Sequence, residues 1–316
     1  MGNEPMENSF SGKTFIVSGA TSGIGLAVAE NLVRQGAMVI GIGRSAERCR
    51  EAERRLRYIH LDSSPASQAS TCYCVADLSL QSQIRSVAEE IREIVADSGR
   101  VGLDGLINNA GTFTYWLTLT PEGFEMQWAV NHLAPFLLTQ ELLPLLQSAP
   151  RARVVTVSSD SHFGVRLNWA DIQLRRHYDG LRAYGQTKLA NVLFTLELNR
   201  RLGAGSNVRA FAADPGLVKT DIGLKGNPAL VRWVWARRRS GGVPPEVSAR
   251  GIVFLAGEPS IQETPDMYWK DGAPKQASRE ALNLESAQRL WELSERMCGI
   301  RSEPEPAQMV FAGMER

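Results

Sequence analysis

Thr14-Phe15-Ile16-Val17-Ser18-Gly19-Ala20-Thr21-Ser22-Gly23-Ile24-Gly25 decides the fold. Thr14 to Val17 reads as a short buried strand. It runs into three glycines and then into an amphipathic stretch, Leu26 to Gln35, which Gly36 stops. A second apolar run follows at Met38-Val39-Ile40-Gly41-Ile42. Two apolar strands flanking a helix suit a parallel sheet covered on both faces.

The same alternation continues outward. Arg48 to Arg57 reads as a charged surface helix, Ser63 to Ser70 as a polar loop, and Cys72-Tyr73-Cys74-Val75 as a third strand ending in Asp77-Leu78. A helix over Ile84 to Ala96 precedes a fourth strand, Gly105-Leu106-Ile107, which leads into Asn108-Asn109-Ala110-Gly111. A long helix is predicted from about Phe124 to Gln147, with Pro135 and Pro144 inside it. Arg153 to Val157 is a fifth strand ending at Ser158-Ser159. Tyr184 to Arg201 is helical, and Val208 to Ala212 is a sixth strand before Asp214-Pro215-Gly216. Strand then helix, repeated about six times, predicts a doubly wound parallel α/β sheet, a Rossmann fold in a single domain over residues 12–300. Residues 1–11 and 301–316 read as loose termini, and 223–243 as an irregular lid over the substrate side.

The chain of 316 residues carries 35 Lys plus Arg against 34 Asp plus Glu. That balance gives no sign of a nucleic-acid binder. Its four cysteines are too few for a disulfide scaffold, and no metal site is expected. The N-terminal stretch lacks the cationic and apolar regions of a signal peptide, and no apolar run is long enough to span a membrane. A cytoplasmic protein is expected.

Gly19, Gly23 and Gly25 follow the spacing G-x-x-x-G-x-G. Such a turn either closes a tight strand–helix connection or lets a pyrophosphate approach the backbone at a helix N-terminus. In the second case Thr21, Ser22 and Ile24 line the same turn. The second strand ends in Gly43-Arg44-Ser45, where an acid would select NAD through a ribose hydroxyl. Arg44 stands there instead and suits a 2′-phosphate. NADP(H) is therefore the expected cofactor, with NAD(H) second. Asp77, beside Leu78, either accepts from an adenine amino group or caps the next helix.

Tyr184 and Lys188 lie four residues apart, on one face of a helix. An ammonium near a phenol favours the phenolate, and such a pair can move the hydroxyl proton of an alcohol. Ser159 can hydrogen-bond the substrate oxygen from the end of the fifth strand. Pro135 lacks an N–H, so the Asn131 carbonyl four residues earlier either holds a water or simply marks a kink.

On these segments, together with Val130-Asn131-His132, Leu189 to Thr195 and Ser286 to Trp291, the chain resembles the short-chain dehydrogenase/reductases, in their retinol-dehydrogenase-like branch. The resemblance covers about residues 12 to 300. It implies an active tetrad of Asn131, Ser159, Tyr184 and Lys188, with Lys188 also on the nicotinamide ribose. It implies further cofactor contacts at Asn109, Ala110, Gly111, Pro215, Gly216, Val218 and Thr220. Three positions depart from the family pattern: Ser18 for Thr, Thr187 for Ser, and Asp214 where that branch often has His.

The resulting expectation is an NADP(H)-dependent oxidoreductase that interconverts an alcohol and a carbonyl on a small lipophilic substrate, of retinoid, steroid or aliphatic aldehyde class. A dinucleotide-sensing module without turnover is the alternative. Trp233 and Trp235 among Arg232, Arg237, Arg238 and Arg239 read as a lid, or else as a peripheral contact with an anionic membrane. The oligomeric state is left open.

Overall fold

The computed structural model describes residues 9–63, 71–219 and 241–300. The predicted lid core, with Thr220 and Trp233 to Arg239, lies outside them, as do 1–8, 64–70 and 301–316.

The described residues form an eight-stranded sheet of order β3-β2-β1-β4-β5-β6-β7-β8. The strands are β1 Thr14–Ser18, β2 Met38–Gly43, β3 Thr71–Val75, β4 Gly105–Asn108, β5 Ala152–Val157, β6 Val208–Asp214, β7 Tyr268–Lys270 and β8 Ala273–Pro274. All pair in parallel except β7 with β8. The helices are α1 Gly23–Arg34, α2 Ala46–Ser63, α3 Gln81–Asp97, α4 Met126–Trp128, α5 Ala134–Ser148, α6 Gly180–Leu202, α7 Pro245–Gly257 and α8 Leu284–Met297. This is the doubly wound α/β architecture expected from the alternating pattern. None of the described helices is long and apolar enough to cross a membrane.

Alternate residues of each strand point to opposite faces. Phe15 and Val17 of β1 join the core under α1 and α7, while Ile16 joins the core under α3, α5, α6 and α8. On the second face Trp291 of α8 packs edge-on to Phe136 and stacks on Phe194, so the apolar face of the last helix seals the sheet. The strand order reverses between β1 and β4. A crevice opens beyond the carboxyl ends at such a reversal.

Four local features differ from the expected pattern. The long helix is broken: Met126–Trp128 passes into a π-helical turn, Ala129–Leu133, before α5 begins. Ala134 N–H reaches back five residues to the Ala129 carbonyl, and Pro135, at the start of α5 within the same continuous helical run, has no N–H to offer the preceding turn. Asp77 is not the cap of α3. Its carboxylate accepts from Ser79 N–H, and the first N–H groups of α3, on Gln81 and Ser82, go to the distant Glu122 carboxylate. The short strands β7 and β8 extend the expected six. Phe10, inside the stretch predicted to be loose, is 5% exposed and lies edge-on to Phe15 at 5.1 Å. An aromatic ring just ahead of β1 is held by the α7 side of the core.

Phe10→Ala is expected to lower unfolding stability by about 3 kcal/mol, measured by urea denaturation. A loss within error of zero would show that residues before β1 add nothing to the core.

Candidate active site

The glycine turn sits at the strand-order reversal. Gly19 and Gly23 hold φ of 68° and 55°, backbone that favours glycine. A Cβ on Gly25 would stand 2.4 Å from the Gly19 carbonyl and from Asn109 Nδ2. The first turn of α1 is therefore drawn tightly onto the segment after β4. Ser18 Oγ accepts from the N–H groups of Asn109 and Ala110, both at 3.0 Å, and Asn109 Nδ2 donates to the Ser18 carbonyl at 2.9 Å. These bonds bring Asn109, Ala110 and Gly111 beside the turn.

The N-cap of α1, Ser22, makes no side-chain capping bond, and the first turn holds no acid. The helix thus presents bare N–H groups and the positive end of its dipole to the crevice. Thr21 faces the end of β2, since a Cβ on Gly43 would meet its methyl at 2.4 Å. Arg44 follows, exposed and without an ion pair among the described residues. Half-buried Asp77 and buried Leu78 lie at the end of β3. A close-approach backbone, an uncapped helix end and an exposed guanidinium fit the phosphates of a dinucleotide. Tyr73, which sequence reasoning had only packed in a strand, supports the turn by donating from its hydroxyl to the Ala20 carbonyl at 3.0 Å.

The proton-handling residues gather beyond β5. Lys188 is buried on α6, and its Nζ lies 5.3 Å from the centre of the Tyr184 ring. The same ammonium donates to the Val157 carbonyl, the last of β5, at 3.0 Å. Gly185 lets α6 approach: a Cβ there would sit 2.8 Å from the Ser161 carbonyl. Burial pulls the Lys188 ammonium down to about 8. Burial, then the Asp214 charge, pushes the Tyr184 phenol above its ordinary value.

Ser158 and Ser159 have different surroundings. Ser158 Oγ is buried and donates to the Lys188 carbonyl at 2.8 Å. Ser159 is half-buried, and its Oγ accepts from Ser161 N–H at 3.2 Å. The Asn131 side chain is fully engaged. Its Oδ1 accepts from Thr112 N–H at 2.7 Å, and its Nδ2 donates to the Thr112 carbonyl at 2.9 Å and to Thr187 Oγ1 at 3.1 Å. It ties the loop after β4 to α6, one residue from Lys188. Pro215, Gly216 and Val218 follow β6, and Gly216 adopts φ of 70°.

Three neighbours of the serine turn escaped the sequence reading: His162, Tyr268 and Lys275. They come from the turn after β5 and from the β7–β8 region, and no spacing rule links them to Tyr184.

Residues 13–229 match the family described as short chain dehydrogenase. The chain is 38% identical over 299 residues to retinol dehydrogenase 14 of Mus musculus, covering 92% of this chain and 86% of that one. It is 34% identical over 307 residues to retinol dehydrogenase 13 of Homo sapiens, covering 94% and 88%. Among solved structures it resembles an uncharacterized protein from Mycobacterium paratuberculosis at 34% identity and a TM-score of 0.70, covering 93% of this chain and 96% of that chain. It shares its fold with a metagenomic short-chain oxidoreductase solved in complex with NADP, at 24% identity and a TM-score of 0.60, covering 85% and 100%.

The lowered Lys188 value has a measurable sign. The unfolded lysine holds its proton up to its ordinary value of 10.5 while the folded one releases it near 8, so this group adds stability as pH rises between the two. The stability of the wild type relative to Lys188→Met is expected to rise by roughly 2 kcal/mol between pH 7.5 and pH 10 in denaturant titrations. A difference that stays flat would contradict a buried ammonium.

Proposed function

The chain belongs to the short-chain dehydrogenase family and is an NAD(P)-dependent oxidoreductase of alcohols and carbonyls, and from that premise we propose that it works with NADP(H) on a lipophilic substrate. The observation that carries this reading is the buried Lys188 ammonium beside Tyr184 at the carboxyl end of β5.

The glycine turn from Gly19 to Gly25 takes the pyrophosphate against bare helix N–H groups, and Arg44 takes the 2′-phosphate as a bidentate donor. Asp77 and Leu78 border the adenine. Asn109, Ala110 and Gly111 line the middle of the crevice, and Pro215, Gly216 and Val218 border the nicotinamide. When bound, the dinucleotide accepts or supplies the hydride and, oxidised, brings a positive ring.

The chain's own residues handle the proton. In the oxidising direction the Tyr184 phenolate takes the substrate hydroxyl proton as the same carbon loses a hydride and its C–O bond becomes double. In reduction the neutral phenol returns that proton to the carbonyl oxygen. Ser159 Oγ donates to the reacting oxygen and orients it. Lys188 holds a positive charge behind the phenol and reaches the ribose. Asn131 fixes the π-helical turn so that its backbone carbonyl faces the proton path.

A lipophilic substrate agrees with the apolar side chains exposed in the segments that leave the carboxyl edge. These are Tyr115, Trp116 and Leu117 after β4, Phe163 after β5, and Leu217 after β6, with Leu181 on the first turn of α6. The relatives named retinol dehydrogenases agree with it too.

NADPH consumption is expected with long-chain or retinoid aldehydes, and Tyr184→Phe is expected to lower kcat by at least about 1000-fold. Oxidation should quicken with rising pH, because it needs the phenolate, and reduction should slow. Arg44→Ala is expected to raise KM for NADPH about tenfold and leave KM for NADH unchanged. NADPH binding without turnover of any carbonyl would favour a sensing module instead.

A further inference from the structure

One cation joins the turns after β5 and β6. Lys275, just past β8, donates from Nζ to Asp160 Oδ1 and, at 2.9 Å, to Asp214 Oδ2. Asp160 directly follows Ser159, and Asp214 directly precedes Pro215-Gly216. The Asp214 side chain is 1% exposed, and its other oxygen accepts from Gly216 N–H at 3.0 Å. The Tyr268 hydroxyl donates to Asp160 at 3.2 Å.

A second grip on the Ser159 turn comes from His162. Its Nε2 accepts from Ser278 N–H at 3.1 Å, which leaves the ring proton on Nδ1. Nδ1–H then donates to the Ser159 carbonyl at 2.7 Å. The segment from Tyr268 to Ser278 therefore makes three hydrogen bonds to the serine turn and one to Asp214 at the end of β6.

The charge at Asp214 matters because a carboxylate buried near a phenol opposes phenolate formation. Asp214 is one of the three positions read from the sequence as departures from the family pattern, and the only acid among them. Lys188 on its own helix and Asp214, the last residue of β6, bear on Tyr184 directly, and around Asp214 stand Lys275, Asp160 and Tyr268, with His162 in the turn after β5 and Lys270 of β7 close by. Lys270 lies along Gly216, its Nζ 3.8 Å from where a Cβ would stand. Only Lys275 pairs with Asp214 among the described residues. Burial opposes the Lys275 charge, and its two carboxylate partners overcome this and raise it.

We propose that Lys275 is a positioning residue for the reaction: it neutralises Asp214 beside Tyr184 and fastens the Ser159 turn to the Pro215-Gly216 turn. This rests on the hydride-transfer reading above. A cation far from the Tyr–Lys pair in sequence thereby sets the pH range in which the phenol works.

The test combines amide hydrogen exchange with pH profiles on the full chain. Lys275→Met is expected to lose protection in peptides covering 158–163 and 213–217. The pH limb of kcat/KM for alcohol oxidation is expected to move up by about one unit. Lys275→Arg should keep both properties, Asp214→Asn should move the limb down, and the double variant Lys275→Met/Asp214→Asn should return it toward the wild type. A limb that stays in place while the rate falls evenly at all pH overturns the electrostatic role. Unchanged protection overturns the fastening role, whether or not turnover is seen. Wild-type turnover that is absent or independent of Tyr184 defeats the hydride-transfer reading instead, a distinguishable result.

Discussion

A buried ammonium held by a backbone carbonyl organises this molecule. Lys188 Nζ donates to the Val157 carbonyl at 3.0 Å and has no carboxylate partner among the described residues. A lone buried cation is costly, so every element around it must be placed to tolerate it. The carbonyl is available because β5 ends there, and Asn191 Nδ2 shares it at 3.3 Å. Helix α6 comes close because residue 185 has no side chain. Its angle is fixed by the amide of Asn131, which grips Thr112 on one side and Thr187 on the other. The outcome is a helix that sets a phenol and an ammonium at the open edge of the sheet.

Topology supplies the other half. The order of strands reverses between β1 and β4, and the glycine turn and Asn109 meet there through Ser18. A bulkier residue at Gly25 would collide with both. The uncapped end of α1 lies at the carboxyl side of the sheet, where α6 also sets the buried Lys188 ammonium against the end of β5.

Much of this was legible along the chain. Apolar strands, glycine punctuation and helical periodicity are local signals, and they recovered the order of elements from β1 to β6. The four-residue spacing of Tyr184 and Lys188 is local too. What escaped was long-range. Glu122 caps α3 from 41 residues away, and Lys275 reaches Asp160 across 115. Strands β7 and β8 are three and two residues long, too short for periodicity to register. Phe10 looked loose because its neighbours are polar, yet it fills a gap that Gly257 leaves on α7. Pro135 announced a disturbance correctly, but not that the helix would take it up as a π-helical turn one step earlier. Asp214 stood out as an unusual acid, and its partner could not be found without the fold.

The most direct measurement is a structure of the chain with bound NADP. The expected result is a pyrophosphate against Gly19 to Gly25 and a nicotinamide ribose within hydrogen-bond reach of Lys188 Nζ, with the Tyr184 hydroxyl facing the same ring. A dinucleotide bound away from that edge, or Tyr184 and Lys188 turned into separate environments, would contradict the account.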